Sequence, residues 1–355
     1  MYRPLLPLYW IQGRCAMTRA IPPWRSLGTR ESTACTWTVG DLFCGFGGFS
    51  CGAEQTGLKV LFGADKWQPA VDVFQANHPE ARVYAEDLLE SDFKHYPRVN
   101  LLLASPSCKG LTRARGRERA HHEQLRKTIW APLRYAEVHK PDAMIIENVT
   151  EIEDWKVYPL VLAMLRHIGY HVDILHVDAA DHGLPQNRVR WICIARLMPV
   201  WPPNWKMRPL GSLAKQPHVS VRDFIQWDYP KWSLLDKPGR SEKIKRQVRT
   251  GRKDLGTDCF LFPYYGSGSG LTGRSLNRPC GTIEAQDIWA IARGEEMRMM
   301  QPTEAQAIMG FPESYKLLGT RRNKMRGLGN AVCPPIAKAL VELLIIDRAA
   351  RGMRS

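Results

Sequence analysis

Two side chains in this sequence have the types and settings that covalent chemistry on a carbon centre requires. Ala104-Ser105-Pro106-Ser107-Cys108 closes an apolar run with a cysteine on a proline-held turn. A thiol at a strand end is exposed and fixed in direction, as a nucleophile must be; a lone cysteine elsewhere reads as a small buried hydrophobe. Glu147-Asn148-Val149 ends the next apolar run. Partial desolvation there raises a carboxyl pKa and suits it to donating a proton or a hydrogen bond. Gln186-Asn187-Arg188-Val189-Arg190 opens a further run, and strand alternation puts Gln186, Arg188 and Arg190 on one face. Arginines so spaced often solvate a surface, but ahead of a buried strand they point into the same cleft.

A second group of residues reads as a ligand cradle. Asp41-Leu42-Phe43-Cys44-Gly45-Phe46-Gly47-Gly48 runs from a strand into a glycine-rich turn, which lets a backbone approach a ligand closely. Taken alone such a turn is equally a structural one. Asp65 ends the following strand, where a carboxylate can hold a ribose hydroxyl pair, and Asp87 is placed to accept from an adenine amino group. Glycines and acids together suggest an adenosine-containing cofactor.

These groups need a scaffold that gathers strand ends at one edge. Short apolar runs at 38–43, 59–65, 101–105, 143–146 and 191–195 alternate with helically spaced segments such as 68–77 and 157–168. Near-continuous apolar strands alternating with helices imply a mostly parallel α/β sheet covered on both faces. After residue 195 the alternation stops: residues 196–277 carry 15 Lys and Arg against six Asp and Glu. Helical spacing returns at 303–309 and 334–349. The expected organisation is a basic tail over 1–36, a catalytic domain over 37–195, a recognition domain over 196–302 and a returning segment over 303–355.

The whole chain of 355 residues holds 50 Lys and Arg against 35 Asp and Glu, a net charge of +15. That balance points to a polyanionic partner. Nine cysteines at irregular spacing, with no CxxC pair, read as reduced thiols in a cytoplasmic setting rather than a disulfide framework or a zinc site. No apolar run approaches a membrane span, so no membrane partner is expected.

In order and spacing these segments resemble the DNA cytosine-5 methyltransferase family. Asp41–Gly48 is similar to its first motif, Pro106-Ser107-Cys108 to its Pro-Cys motif, Glu147-Asn148-Val149 to its ENV motif, and Gln186, Arg188 and Arg190 to its QxRxR motif. Arg278-Pro279 with Thr282 resembles the segment after the recognition domain, and Gly329-Asn330-Ala331-Val332 with Pro334 resembles the closing GNAV motif. The resemblance implies a Rossmann-like class I S-adenosylmethionine-dependent methyltransferase fold with a small, mostly non-helical target-recognition domain. It implies a monomer acting on double-stranded DNA without a metal, prokaryotic or phage in type.

By the same resemblance Cys108 attacks C6 of a flipped cytosine, Glu147 engages its N3 and amino group, and Arg188 holds the base with Arg190 in support. Phe43, Gly45, Gly47, Asp65, Lys66, Asp87, Leu88, Pro106, Asn330 and Val332 would form the cofactor pocket. Arg113, Arg115 and Gln186 would contact DNA. Arg117 and Arg119 extend that basic loop, and Trp201, Trp205, Trp227 and Trp232 suit either groove contact or a small core.

Two positions depart from the family pattern. Ser107 stands where a second proline is usual, and Lys109 where a glutamine is usual; Lys109 would lower the thiol pKa or meet a phosphate. Three other readings compete. Methylation of cytosine in RNA is disfavoured by the basic insert. A silent DNA-binding relative is disfavoured by the intact Cys108, Glu147 and Arg188. A nicotinamide oxidoreductase leaves Cys108 and the ENV and GNAV segments without a role.

Overall fold

Side chains that alternate between two apolar faces make the central strands of this protein interior on both sides. The computed structural model describes residues 37–349 apart from 109, 112–122, 124, 199, 201–214 and 266–272. The tail at 1–36 and Lys109, Arg113, Arg115, Arg117, Arg119, Trp201 and Trp205 therefore lie outside the described residues. Strands β1 (Thr38–Leu42), β2 (Lys59–Ala64), β3 (Arg82–Tyr84), β4 (Leu101–Ala104), β5 (Ala143–Asn148), β6 (Tyr170–Asp178) and β7 (Val189–Leu197) form one sheet in the order β3-β2-β1-β4-β5-β7-β6. Leu101, Leu103, Ile145, Ile192 and Ile194 face one core, while Leu102, Ala104, Ile146, Trp191 and Cys193 face the other.

Strands β1 to β5 pair in parallel, and β7 runs antiparallel to both β5 and β6. The α/β class and the mostly parallel sheet expected from the sequence are present. The reversal of β7 was not foreseen, because a strand buried on both faces has the same apolar run in either direction.

Helices α1 (Gly48–Glu54) and α2 (Gln68–Asn77) cover the first face, and α3 (Trp130–His139) and α4 (Tyr158–His167) the second. Pro69 and Pro159 start α2 and α4, where a missing N–H costs nothing.

A second sheet holds β8 (Ser233–Leu234), β9 (Cys259–Pro263), β10 (Arg274–Ser275), β11 (Trp289–Arg293) and β12 (Glu296–Met299), all antiparallel, in the order β10-β9-β11-β12-β8. Helix α5 (Glu242–Leu255) lays Ile244 and Val248 on Phe260, Phe262, Ala290 and Ala292, whereas Leu261 and Ile291 face the main core. Trp227 and Trp232 stack with centroids 6.5 Å apart and pack on that core. Of the two roles open to them, the core role is the one their packing serves.

The chain then returns through α6 (Pro302–Ile308), α7 (Arg321–Asn330) and α8 (Pro334–Ala349). Gly52 lets α8 touch α1 directly: a Cβ there would stand 2.5 Å from the Ala337 Cβ and the Pro334 carbonyl. By length and composition the helical run Arg321–Ile346 would suffice to cross a membrane, unlike the sequence expectation, but 61% of its most apolar window is buried inside the protein.

The junction between the second sheet and α6 is ionic and dry. Arg298 donates to both oxygens of Glu304, at 2.8 and 2.5 Å, and to the Gln226 carbonyl at 2.8 Å. Glu304 also accepts from the main-chain N–H of Gln226 and of Gln301. Removing one partner of a buried pair strands the other charge. Glu304→Ala is expected to cost about 3–5 kcal/mol in urea unfolding, and adding Arg298→Met to recover most of it.

Candidate active site

The C-terminal ends of β4 and β5 and the beginning of β7 meet at one edge of the main sheet, which brings Cys108, Glu147 and Arg190 together. The turn carrying Cys108 is held from behind, since Asn148 Nδ2 donates to the Pro106 carbonyl at 3.1 Å. Asn148 thus ties the turn to the end of β5. Its value lies in position, and the sequence reading gave it no role of its own.

Glu147 is 7% exposed, and Arg190 Nε lies 3.0 Å from its Oε1. Burial pushes the Glu147 carboxyl up, as expected from the sequence, with the guanidinium groups of Arg190 and Arg188 pulling it back. The Cys108 thiol is pushed above its ordinary range, first by burial and then by the Glu147 charge; the two arginines act in the opposite sense. A thiol so placed is mainly protonated at neutral pH.

The two arginines take different partners. Arg190, expected in support, is the one on the carboxylate. Arg188 is 4% exposed and spends its guanidinium on three carbonyls: Ile283 at 3.1 Å, Gly329 at 3.0 Å and Ala331 at 2.9 Å. Burial, with the nearby Arg190 charge, lowers its pKa to about 10. Gln186 is a plain correction. It is fully buried, its Oε1 accepting from Ile283 N at 3.2 Å and its Nε2 donating to the Ile308 carbonyl at 3.3 Å. An amide with both ends used inside the protein has nothing to offer DNA.

The glycine turn adjoins this edge. Phe43 is held at φ 57, a strained value for a residue with a Cβ, of the kind that clusters at functional sites. Gly45 is left-handed too, at φ 52, and a Cβ there would meet nothing nearer than 4.0 Å. The turn is therefore open at Gly45, where a ligand backbone would lie. At Gly48 it is closed by the returning chain: a Cβ would stand 2.0 Å from the Val332 carbonyl. Val332 is buried beside it while Asn330 is exposed.

Asp65 accepts from Gly45 N at 3.1 Å and Trp67 N at 2.8 Å, and burial raises its carboxyl despite both bonds. Asp87 is paired with Lys66 at 2.8 Å and accepts from Leu89 N at 3.1 Å, with Leu88 buried alongside. A left-handed open turn, an acid at the adjoining strand end and a second acid one strand further fit an adenosine-bearing cofactor. Among the described residues no group of three or more His, Cys, Asp or Glu is placed to hold a metal ion.

Two supports escaped the sequence reading. Arg134 of α3 donates to the carbonyls of Leu89 and Ser91, both at 2.7 Å, fixing the loop that carries Asp87. Trp67 lies between Phe46, stacked at 6.0 Å, and the Arg326 guanidinium at 4.3 Å. Neither follows a motif, and only the fold brings α3 and α7 to the cofactor side.

Comparison with known proteins places this geometry. The type II methyltransferase M.NlaX of Neisseria lactamica is 26% identical over 325 residues, covering 85% of this chain and 94% of its own. M.HindV of Haemophilus influenzae, also a type II methyltransferase, is 25% identical and covers 86% and 95%. Among solved structures, a putative DNA modification methyltransferase from an Escherichia coli prophage superposes with a TM-score of 0.64 at 20% identity, over 88% of this chain and 99% of that one. DNMT2 of Spodoptera frugiperda gives 0.60 at 17% identity, over 87% and 100%. The family model for C-5 cytosine-specific DNA methylases matches residues 37–345, which span the sheet edge, the second sheet and the returning helices, and the chain belongs to that family.

Proposed function

We propose that this protein methylates C5 of a cytosine flipped out of double-stranded DNA, in a short specific sequence, through a covalent adduct on Cys108. What carries the reading is the convergence of a thiol, a buried carboxyl and a guanidinium at one sheet edge beside an open left-handed turn. Cytosine C5 is a poor nucleophile, so a nucleophile must first add at C6. The Cys108 thiolate forms the S–C6 bond and pushes the C5–C6 electron pair onto C5. Glu147, whose raised pKa lets it take up a proton once the base is bound, donates to N3 and accepts from the amino group, which offsets the negative charge developing on the ring. Arg190 keeps Glu147 in place and adds positive charge beside the base.

The turn from Phe43 to Gly48 would hold S-adenosylmethionine, whose sulfonium would provide the electrophilic methyl group for C5. Asp65 would take the ribose hydroxyls, and Asp87, held by Lys66 at 2.8 Å, the adenine amino group. Gly45 admits the ligand backbone, Gly47 keeps the turn left-handed, and Pro106, Leu88 and Val332 wall the pocket with Asn330 at its rim. Loss of the C5 proton then expels Cys108 and leaves 5-methylcytosine. Extruding the base costs roughly a few kcal/mol, which contacts from the basic insert and from Arg113 and Arg115 would offset.

Transfer of label from S-adenosylmethionine is the direct test. Duplex DNA is expected to be labelled at cytosines of one short motif, with no label from Cys108→Ala; label on tRNA alone would overturn the DNA reading. The thiol chemistry has its own check. Iodoacetamide alkylation of Cys108, followed by peptide mass mapping, is expected to rise about tenfold per pH unit from neutrality, because only the thiolate reacts and its pKa lies above the ordinary value. Glu147→Gln removes a negative charge next to the thiol, so alkylation should speed up while methyl transfer falls by about 10²–10⁴.

A further inference from the structure

The turn that carries Cys108 is held on both sides of the thiol. Asn148 holds the Pro106 carbonyl, two residues ahead, at 3.1 Å, and Arg126 Nη1 donates to the Gly110 carbonyl, two residues beyond, at 2.8 Å. Between these points the Leu111 N–H donates to the Cys108 carbonyl at 2.9 Å and closes the turn. Leu111 is buried in the second core, against which Cys108 also packs.

Arg126 is itself firmly seated. It stands one residue before the short 3-10 turn Lys127–Ile129 that leads into α3, and Ile129, Ala131 and Leu133 enter the same core as Leu111. Thr128 Oγ1 donates back to the Leu125 carbonyl at 2.7 Å. Nε and Nη2 of Arg126 both donate to Glu123 Oε2, at 3.0 and 2.8 Å, which fixes the plane of the guanidinium while Nη1 serves Gly110. At 11% exposure that side chain is shielded from water, which strengthens both contacts. An ammonium has no such planar fork, so a lysine here would reach one partner at a time.

We propose that Arg126 is a positioning residue that holds the Cys108 turn in attacking geometry through the Gly110 carbonyl, with Glu123 orienting its guanidinium. The proposal rests on the reading of Cys108 as the nucleophile. A thiol gains its rate from being held within reach of C6, and a misplacement of about 1 Å can cost about 10²-fold. Loss of Arg126 removes a side-chain anchor beyond the thiol and lets the turn shift against the base. The competing role for an arginine here is contact with a DNA phosphate. Glu123 offsets the guanidinium charge, which makes it a poor phosphate ligand.

Arg126→Ala and Arg126→Lys separate the two roles. Single-turnover methyl transfer from labelled S-adenosylmethionine to genomic DNA lacking cytosine methylation, at saturating DNA, should fall about 10²-fold in Arg126→Ala, and lysine should not restore it. The DNA concentration that gives the half-maximal rate should stay at the wild-type value. A phosphate contact would instead raise that concentration, lower the salt slope of binding by about one and be restored by lysine; that result overturns the proposal.

Iodoacetamide gives a readout in the free protein. Burial holds the Cys108 thiol above its ordinary range, so a loosened turn that admits water should let Cys108 be alkylated about tenfold faster than in wild type at neutral pH. Cys193 and Cys280, both 0% exposed, report on the rest of the protein and should stay as protected as in wild type. If Arg126→Ala exposes them too, that variant has lost its fold and Arg126→Lys decides. Wild-type alkylation of Cys108 in Arg126→Lys overturns the proposal, whatever its activity. Methyl transfer that survives Cys108→Ala would instead overturn the nucleophile reading, and the alkylation rates would still show whether Arg126 holds the turn.

Discussion

The catalytic edge depends on a polar problem solved by one side chain. Two later stretches of chain, one between β10 and β11 and one at the end of α7, deliver three main-chain carbonyls, of Ile283, Gly329 and Ala331, into the interior beside the thiol. Buried carbonyls without donors would cost more than the packing there returns. A guanidinium carries five N–H groups in one plane and can serve all three; an ammonium has neither the number nor the geometry. Arg188 thereby joins β7, the segment between β10 and β11 and the end of α7 at a single point. Gln186 repeats the arrangement with a neutral amide, tied to Ile283 and Ile308.

That solution leaves a buried cation beside the site, and the site's electrostatics follow from it. Arg188 and Arg190 repel, and each lowers what the carboxyl of Glu147 would otherwise become. Glu147 in turn raises the thiol. The ground state is a protonated thiol poised against a carboxyl that two cations keep from becoming neutral too readily. Several of the arginines behind the +15 charge are thus internal fasteners: Arg188, Arg298 and, more peripherally, Arg134 and Arg321 spend their donors on carbonyls and carboxylates. The net charge overstates what is left for a polyanion.

The main strands, the turn and the residues at strand ends were legible because each is a local signal. Apolar runs mark buried strands, and small or acidic residues after them mark a sheet edge. The short β3 and the edge strand β6 were not, since β6 mixes His and Asp with its apolar residues and has a partner strand on one edge only. The partners of Arg188 and Arg190 could not be read because alternation fixes the face of a strand and not what the fold stacks over it. The same holds for Gln186, whose burial is created by α6 and the 280–283 segment. No motif read from the sequence includes Arg126, which stands 16 positions from the Gly110 carbonyl it holds.

The reversal of β7 sets how the second sheet is spliced into the protein. Because β7 starts at the chemical edge and ends at the opposite one, the insert departs at Leu197, far from the thiol. Before β11 and β12 are formed it meets the chemical side at Cys280, which bridges Gln186 and exchanges main-chain hydrogen bonds with Pro185 and Asn187. The two seams are therefore unequal. Beyond the outgoing seam the described chain is tied back to the main domain at Gln216, whose N–H donates to the Asp181 carbonyl at 2.7 Å. A one-residue slip at the incoming seam carries the Ile283 carbonyl away from Arg188 and reaches the reacting groups through that contact. The stretch around Cys280 is thus bound to the register of the main sheet even though it lies between two strands of the second.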